Sequence, residues 1–249
     1  MPKAPTPTAT ATALIQASRE LTAALAPLRF ALPVTHLYSP LIYARNLHET
    51  YLATYGRSRK RVVFLGMNPG PWGMAQNGVP FGEVASVRDW MGLSGEVDQP
   101  TAAHPKRPIT GLACTRSEVS GRRLWGLMAD RFDTAKAFFA HHFVVNYCPL
   151  VFMEESGRNA TPDKLPAPQR QPLEAACDQH LRHVIGILKP QRVVGVGKFA
   201  EKCARRALGQ EKAPLITSVL HPSPASPAAN RGWAQAATQQ LIKTGVWDT

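Results

Sequence analysis

No apolar run in the sequence approaches the roughly 18–20 residues that a membrane-spanning helix needs, so no membrane partner is expected. Residues 1–12 alternate Ala, Thr and Pro without the apolar segment of a signal peptide. That stretch reads as a disordered tail, followed by a single domain over residues 13–249. Close cysteine pairs are also missing. Cys114, Cys148, Cys177 and Cys203 include no C-x-x-C, the spacing that lets one turn give zinc two ligands. Cys177, His180 and His183 fall at helical spacing, but the preferred reading is a polar stripe on an amphipathic helix. Neither a metal nor a cofactor is expected, and scattered single cysteines suit a reducing compartment. Acidic residues are scarce: 17 Asp and Glu stand against 29 Lys and Arg, a net charge of +12. That excess points to a polyanion, nucleic acid first. With 44% hydrophobic residues the chain is not disordered as a whole.

Four short apolar runs alternate with helical patterns. Residues 62–67, 142–147, 192–196 and 215–220 read as buried strands. Helices are expected over residues 13–28, 41–55, 83–91, 121–132, 173–188, 199–208 and 228–244, and residues 156–172 read as a long proline-rich loop. Strands alternating with helices give an α/β fold with a parallel sheet covered on both faces. Ligands of such a sheet bind beyond the carboxyl ends of its strands. There the sequence places Asn68, Asn146, Lys198 and His221, so the four loops form one candidate site.

Common motifs do not fit these loops. The run from Gly66 to Gly73 matches neither a dinucleotide fingerprint nor a phosphate loop, and its prolines remove N–H groups that a phosphate cradle would use. Gly195-Val-Gly197 carries two fingerprint glycines, yet no acidic residue is convincingly placed about 20 positions later. No G-x-S-x-G elbow occurs, and no carboxylate pair stands in the loops. Two asparagines and a histidine suit a reaction in which the enzyme positions water and stabilises developing charge on a good leaving group.

Long segments add to this reading. Gly66-Met-Asn-Pro-Gly-Pro-Trp-Gly-Met-Ala-Gln-Asn-Gly-Val-Pro-Phe-Gly-Glu83 and His221-Pro-Ser-Pro-Ala-Ser-Pro-Ala-Ala-Asn-Arg-Gly-Trp233 resemble the two active-site motifs of the single-strand-selective monofunctional uracil-DNA glycosylases. Asn146-Tyr-Cys-Pro-Leu150 and Ser156-Gly-Arg-Asn-Ala-Thr-Pro162 are similar to further segments of that family. The resemblance runs from about Tyr38 to the C-terminus. It implies a three-layer α/β/α sandwich around a four-stranded parallel sheet, and hydrolysis of an N-glycosidic bond that leaves an abasic site without strand cleavage.

Matched residue by residue, the resemblance makes Asn68 the group that orients the attacking water and His221 the one that stabilises the departing base oxygen. Asn146 reads the edge of uracil, Phe81 stacks on it, and Met67 and Gly70 line the pocket. Ser156, Gly157, Arg158, Asn159, Lys164 and Arg170 fall in a DNA-contacting segment. Pro222, Ser223, Pro224, Ala225 and Arg231 belong to the wedge that enters the duplex, and Lys198 is a further phosphate contact. Family members often carry a basic residue where this chain has Ala225, which implies weaker help in pushing out the base. In relatives with the Gly-Gln-Asp-Pro-Tyr version of the first motif, a tyrosine at the position of Gly70 guards carbon 5 of the base. Glycine there implies acceptance of 5-substituted uracils such as 5-hydroxymethyluracil.

The expected partner is DNA, single- or double-stranded, met by a monomer. The expected location is the nucleoid of a bacterial cell or the nucleus of a eukaryotic one. Two other readings stay open at this point: a DNA-binding module with a dead pocket, and an α/β enzyme acting on free nucleotides.

Overall fold

The computed structural model describes residues 6–209 and 214–248. The first helix, α1 (Ala9–Leu25), begins earlier than its apolar pattern suggests. Thr8 caps it by accepting from the Ala11 amide at 3.3 Å, and the Thr8 hydroxyl donates to Arg57 O at 2.8 Å. The disordered tail assigned to residues 1–12 is therefore corrected over residues 9–12, which are helical with Ala11 fully buried; residues 1–5 lie outside the described residues. A short strand β1 (His36–Tyr38) precedes α2 (Pro40–Tyr43) and α3 (Arg45–Tyr55), which divide the single helix expected over 41–55.

Then come β2 (Val62–Gly66), the short helix α4 (Met74–Asn77), α5 (Val119–Phe132) and α6 (Ala135–His141). Between α4 and α5 the helix expected over 83–91 is one π-helical turn, Ser86–Trp90. The strands β3 (His142–Asn146), β4 (Val151–Met153) and β5 (Asn159–Ala160) lead to α7 (Ala167–Leu188). β6 (Arg192–Val196), α8 (Lys198–Leu208), β7 (Leu215–Val219), α9 (Pro227–Asn230) and α10 (Trp233–Lys243) complete the order.

The central sheet is parallel, in the order β3-β2-β6-β7. Every residue of β2 is buried, as a strand covered on both faces requires. On one face Tyr51 of α3 stacks on Phe143, and α1 packs between α3 and α7. On the other, Phe138 of α6 lies against Phe64, with Trp125 of α5 edge-on to it and α10 packed beside α5. The result is a three-layer α/β/α sandwich.

Two features depart from the expected order. A second, antiparallel sheet, β1-β4-β5, stands beside the first. Its strands are two or three residues long, too short to show a period. The loop expected over 156–172 ends early, because α7 begins at Ala167 and carries both Arg170 and Pro172. Prolines read as breakers, but Pro168 at the helix start has no intrahelical N–H partner to lose, and the helix continues through Pro172 with one i to i−4 bond missing. The Cys177, His180 and His183 stripe does not converge. Cys177 is buried, His180 Nδ1 meets Ala17 O at 3.2 Å, and His183 faces Glu20 at 3.5 Å. Among the described residues no three His, Cys, Asp or Glu side chains gather as a metal would need.

Burial sets the acid response of the fold. It pushes His142 and His180 down to about 4, so both are neutral in the folded protein near pH 6. An unfolded histidine protonates near 6.5, so between pH 6.5 and 4 the unfolded chain binds more protons and gains stability. The expected loss is about 1.4 kcal/mol per pH unit for each histidine. Thermal unfolding followed from pH 7.5 to 4 should show the midpoint falling from about pH 6.5 downward, and a flat midpoint down to pH 5 would contradict this assignment.

Candidate active site

Parallel pairing puts Gly66 directly opposite Asn146, and the ladder continues past both strands with Tyr147 N donating to Gly66 O and Cys148 N to Met67 O, each at 2.9 Å. A Cβ on Gly66 would stand 2.1 Å from Asn146 Oδ1 and 2.6 Å from Phe81 Cε2. The carboxamide and the phenyl edge thus share a space that any other residue would fill. Among the described residues, buried Asn146 Oδ1 has no hydrogen-bond partner and Nδ2 has only the Met74 sulfur at 3.2 Å, a weak acceptor. A buried amide left in this state is unfinished without a ligand.

Phe81 takes a positive φ of 53°, a conformation its side chain disfavours. The surroundings enforce it. Phe81 O accepts from Trp125 Nε1 at 3.0 Å, and Gly121 packs so closely that a Cβ there would lie 2.1 Å from that carbonyl. Buried Asn77 holds the turn before it, donating to Gly82 O at 2.6 Å and accepting from Val79 N at 3.0 Å. Such over-determined strain is typical of a site whose ring must be held in one place.

Asn68 follows β2 and donates from Nδ2 to Leu150 O at 3.4 Å; among the described residues no group donates to its Oδ1. His221 follows β7, with its ring centroid 6.4 Å from that of Phe81. Its Nδ1 accepts from the Ser223 amide at 3.1 Å, which places the proton of the neutral ring on Nε2. Burial pushes its pKa below the ordinary histidine value, so the ring is neutral at pH 7. Gly197, with φ of 92°, lies flat against it, since a Cβ there would be 3.1 Å from His221 Cβ. A Cβ on Gly195 would press still more closely on α8, against the Glu201 amide. These two glycines serve packing.

Met67, Asn68, Gly70, Phe81, Asn146 and His221 are therefore brought to the carboxyl end of the sheet. A Cβ on Gly70 would already touch Glu118, at 3.5 Å from both Cγ and Oε1, so this position is bordered by a carboxylate that the sequence reading did not single out. Burial raises the pKa of Glu118, and its oxygens cap α5 by accepting from Gly121 N at 2.6 Å and Ser120 N at 3.1 Å.

The expected DNA contacts are less uniform. Ser156, Gly157 and Arg158 form the turn between β4 and β5, with Arg158 exposed. Asn159 turns inward, donating to Pro69 O at 3.0 Å, and so supports the Asn68 loop instead of facing outward. Lys164 and Arg170 lie further along, near Asp163 at 3.8 Å and Glu174 at 3.9 Å. Lys198 is tied to Glu201 at 2.8 Å and Ser218 Oγ at 3.1 Å.

The wedge segment has an exposed tip, Pro224 and Ala225, over buried Pro222, and Arg231 is exposed beyond it. Its shape depends on Arg123, which sequence reasoning missed. Arg123 donates to Pro222 O and to Asn230 Oδ1, and Asn230 donates to Pro224 O, all at 2.9 Å.

The family described as the Uracil DNA glycosylase superfamily matches residues 53–243. The chain belongs to this superfamily. It is 49% identical to the rat single-strand selective monofunctional uracil-DNA glycosylase over 91% of its own length and 82% of that protein. It is 46% identical to the bovine protein of the same description, over 97% and 89%. Among solved structures, Pedobacter heparinus SMUG2 superposes with a TM-score of 0.68 at 15% identity, covering 95% of this chain and 97% of that one, a likeness of fold.

In this uracil-DNA glycosylase superfamily member, Gly66→Ala is the substitution that tests the pocket with the least chemical change. It drives a methyl into Asn146 Oδ1 and Phe81 while leaving every polar group present. Single-turnover release of uracil should fall by about 100-fold, the cost of misplacing a reacting group by about 1 Å. Circular dichroism should show the fold retained. Wild-type release would mean that the space over Gly66 is not the base pocket.

Proposed function

We propose that this chain acts on DNA as a monofunctional uracil-DNA glycosylase that also accepts uracils substituted at carbon 5, such as 5-hydroxymethyluracil, with Asn68, Asn146, Phe81 and His221 as its working side chains. It is an N-glycosyl hydrolase: the base leaves, an abasic site stays, and the backbone is not cut. Superfamily membership and relatives near half identity support that reaction. The observation that carries the residue roles is the buried, unpartnered Asn146 Oδ1 in the space above Gly66.

Uracil offers N3–H as a donor beside O4 as an acceptor. Asn146 presents Oδ1 unpartnered and Nδ2 engaged only by sulfur, the complementary pair. Cytosine presents the reverse pattern and would leave both groups opposed. Stacking on Phe81 contributes about 1–3 kcal/mol to holding an extruded base. As the C–N bond breaks, its electrons pass to the base; a water that donates a hydrogen bond to Asn68 Oδ1 attacks the anomeric carbon, and the proton this water sheds passes through solvent to the base anion. His221 Nε2–H donates to the base oxygen that gains charge. One such donor is worth about 3–4 kcal/mol in comparable oxyanion sites. A ring held neutral by burial stabilises that oxygen by hydrogen bonding and keeps its proton. Acceptance of 5-substituted uracils is supported by Gly70, which sets no bulky side chain of its own beside Glu118.

The deciding experiment incubates a uracil oligonucleotide with protein and chelator, then treats it with alkali. Strand breaks only after alkali are expected, with Asn68→Ala slower by about 100-fold and His221→Ala by about 100- to 1,000-fold. DNA binding without any base release would favour a non-catalytic module. Activity on deoxyuridine but not on the oligonucleotide would favour a nucleotide enzyme. Release of uracil without release of 5-hydroxymethyluracil would remove the wider substrate range.

A further inference from the structure

Trp72 lies four positions beyond Asn68 in the same loop, half-buried, with two guanidiniums over its ring. Arg116 Cζ is 4.6 Å from the ring centroid and Arg107 Cζ 5.3 Å, inside the range of cation–π attraction. The arrangement is fixed from below. Buried Gln76 donates to Pro71 O at 2.9 Å and Pro108 O at 3.0 Å, and accepts from Thr110 N at 2.9 Å, which joins the Trp72 loop to the segment carrying Arg107. Arg107 Nε donates to Gly157 O at 2.9 Å, and Asn159 of the adjoining strand reaches Pro69 O. Arg107, Arg116 and the exposed side chains of Lys106 and Arg158 are thereby gathered beside the loop that presents Asn68.

These four cations have no carboxylate within ion-pair distance among the described residues. Glu154 and Glu155 stand on the same turn as Arg158 and pair with none of them. Glu118, two residues after Arg116, spends its oxygens on the α5 amides. Arg19, Arg88, Lys198, Arg205 and Arg206, by contrast, each hold an acidic partner at 2.7–2.9 Å; what sets Arg107 and Arg116 apart is their seat on one aromatic ring. Unpaired guanidiniums pre-positioned on an aromatic ring next to a nucleotide pocket suit a phosphate, whose oxygens take two parallel N–H donors.

We propose that Arg107 and Arg116, seated on Trp72, form a clamp for backbone phosphates of the strand that carries the target nucleotide. The clamp rests on the base-excision reading and adds a contact surface outside the segments at 156–170 and 222–231. It holds the strand on the Asn68 side of the pocket, while the wedge approaches from the His221 side.

The test measures binding of a single-stranded oligonucleotide lacking uracil by fluorescence anisotropy between 50 and 200 mM salt. Each phosphate contact to a single strand contributes about 0.7 to the slope of log K against log salt. Arg116→Gln should reduce the slope by about 0.7 and Arg107→Gln/Arg116→Gln by about 1.4. Trp72→Ala should also reduce it, and Trp72→Phe, which keeps a π face, should recover much of the loss. Lys136→Gln removes one charge from exposed α6, at the amino end of the sheet, and should leave the slope at its wild-type value. Arg116 is exposed, so its substitution reports on binding without endangering the fold. A wild-type slope in the double variant, or an equal fall in Lys136→Gln, would overturn the clamp. Base release by wild type separates the two ideas: release with an unaltered slope in the double variant removes the clamp alone, and absent release removes the excision reading.

Discussion

The missing side chain of Gly66 is the constraint on which the site depends. Parallel register brings Gly66 and Asn146 to the same level at the ends of their strands, and the Cβ that glycine lacks would overlap both Asn146 Oδ1 and the Phe81 ring. Two functional side chains can enter that space only together, from opposite directions. Asn146 arrives with its strand, while Phe81 arrives from a turn that forces it into positive φ. The structure tolerates that conformation because Trp125, Gly121 and Asn77 leave the Phe81 backbone no alternative. Local strain is thus held by the packing of α5 against the turn, and a change in that packing would reach the pocket through Phe81.

The electrostatics set a charged exterior against a pocket whose named side chains are neutral. The chain carries a net charge of +12, and Arg107 and Arg116 stand over Trp72 beside the Asn68 loop. The pocket holds a neutral histidine and two carboxamides. Glu118, which borders Gly70, is turned toward the amino end of α5, where helix amides donate to it and a negative charge is favoured. A free carboxylate facing the base would repel the anion that forms on cleavage, so its use as a cap removes a penalty from the reaction. Neutral donors in a water-poor site keep their strength because nothing screens them.

Much of this was legible in the sequence. Four apolar runs fixed the parallel sheet, and the rule that ligands bind beyond the carboxyl ends of its strands selected Asn68, Asn146 and His221. The resemblance added Phe81, which no spacing argument could have taken from the core. What escaped has a common cause. Arg123 holds the wedge from 107 positions away in Asn230, and Gln76 holds the Pro108 segment from 32 away. Such long-range side-chain hydrogen bonds leave no period in the chain. Asn159, chosen as a DNA contact, proved to be a support for Pro69, because the short strands β4 and β5 that turn it inward carry too few residues to be read.

The wedge and the catalytic ring belong to one hydrogen-bonded unit. The Ser223 amide sets the tautomer of His221, Ser223 Oγ accepts from the Ala225 amide at the tip, and Arg123 anchors the same segment at Pro222 and, through Asn230, at Pro224. A strand pressing on Pro224 and Ala225 therefore acts on a loop whose geometry also decides which imidazole nitrogen carries the proton. With alanine at the tip the loop offers no long cation, so in the proposed reaction the opening of the stack would rest on the rigidity of the loop. Rigidity is what Arg123 supplies: it joins the wedge to α5, the helix that also fixes Phe81 through Trp125. The segment proposed to enter the DNA and the ring proposed to receive the base are thus held by one helix, which sets their spacing.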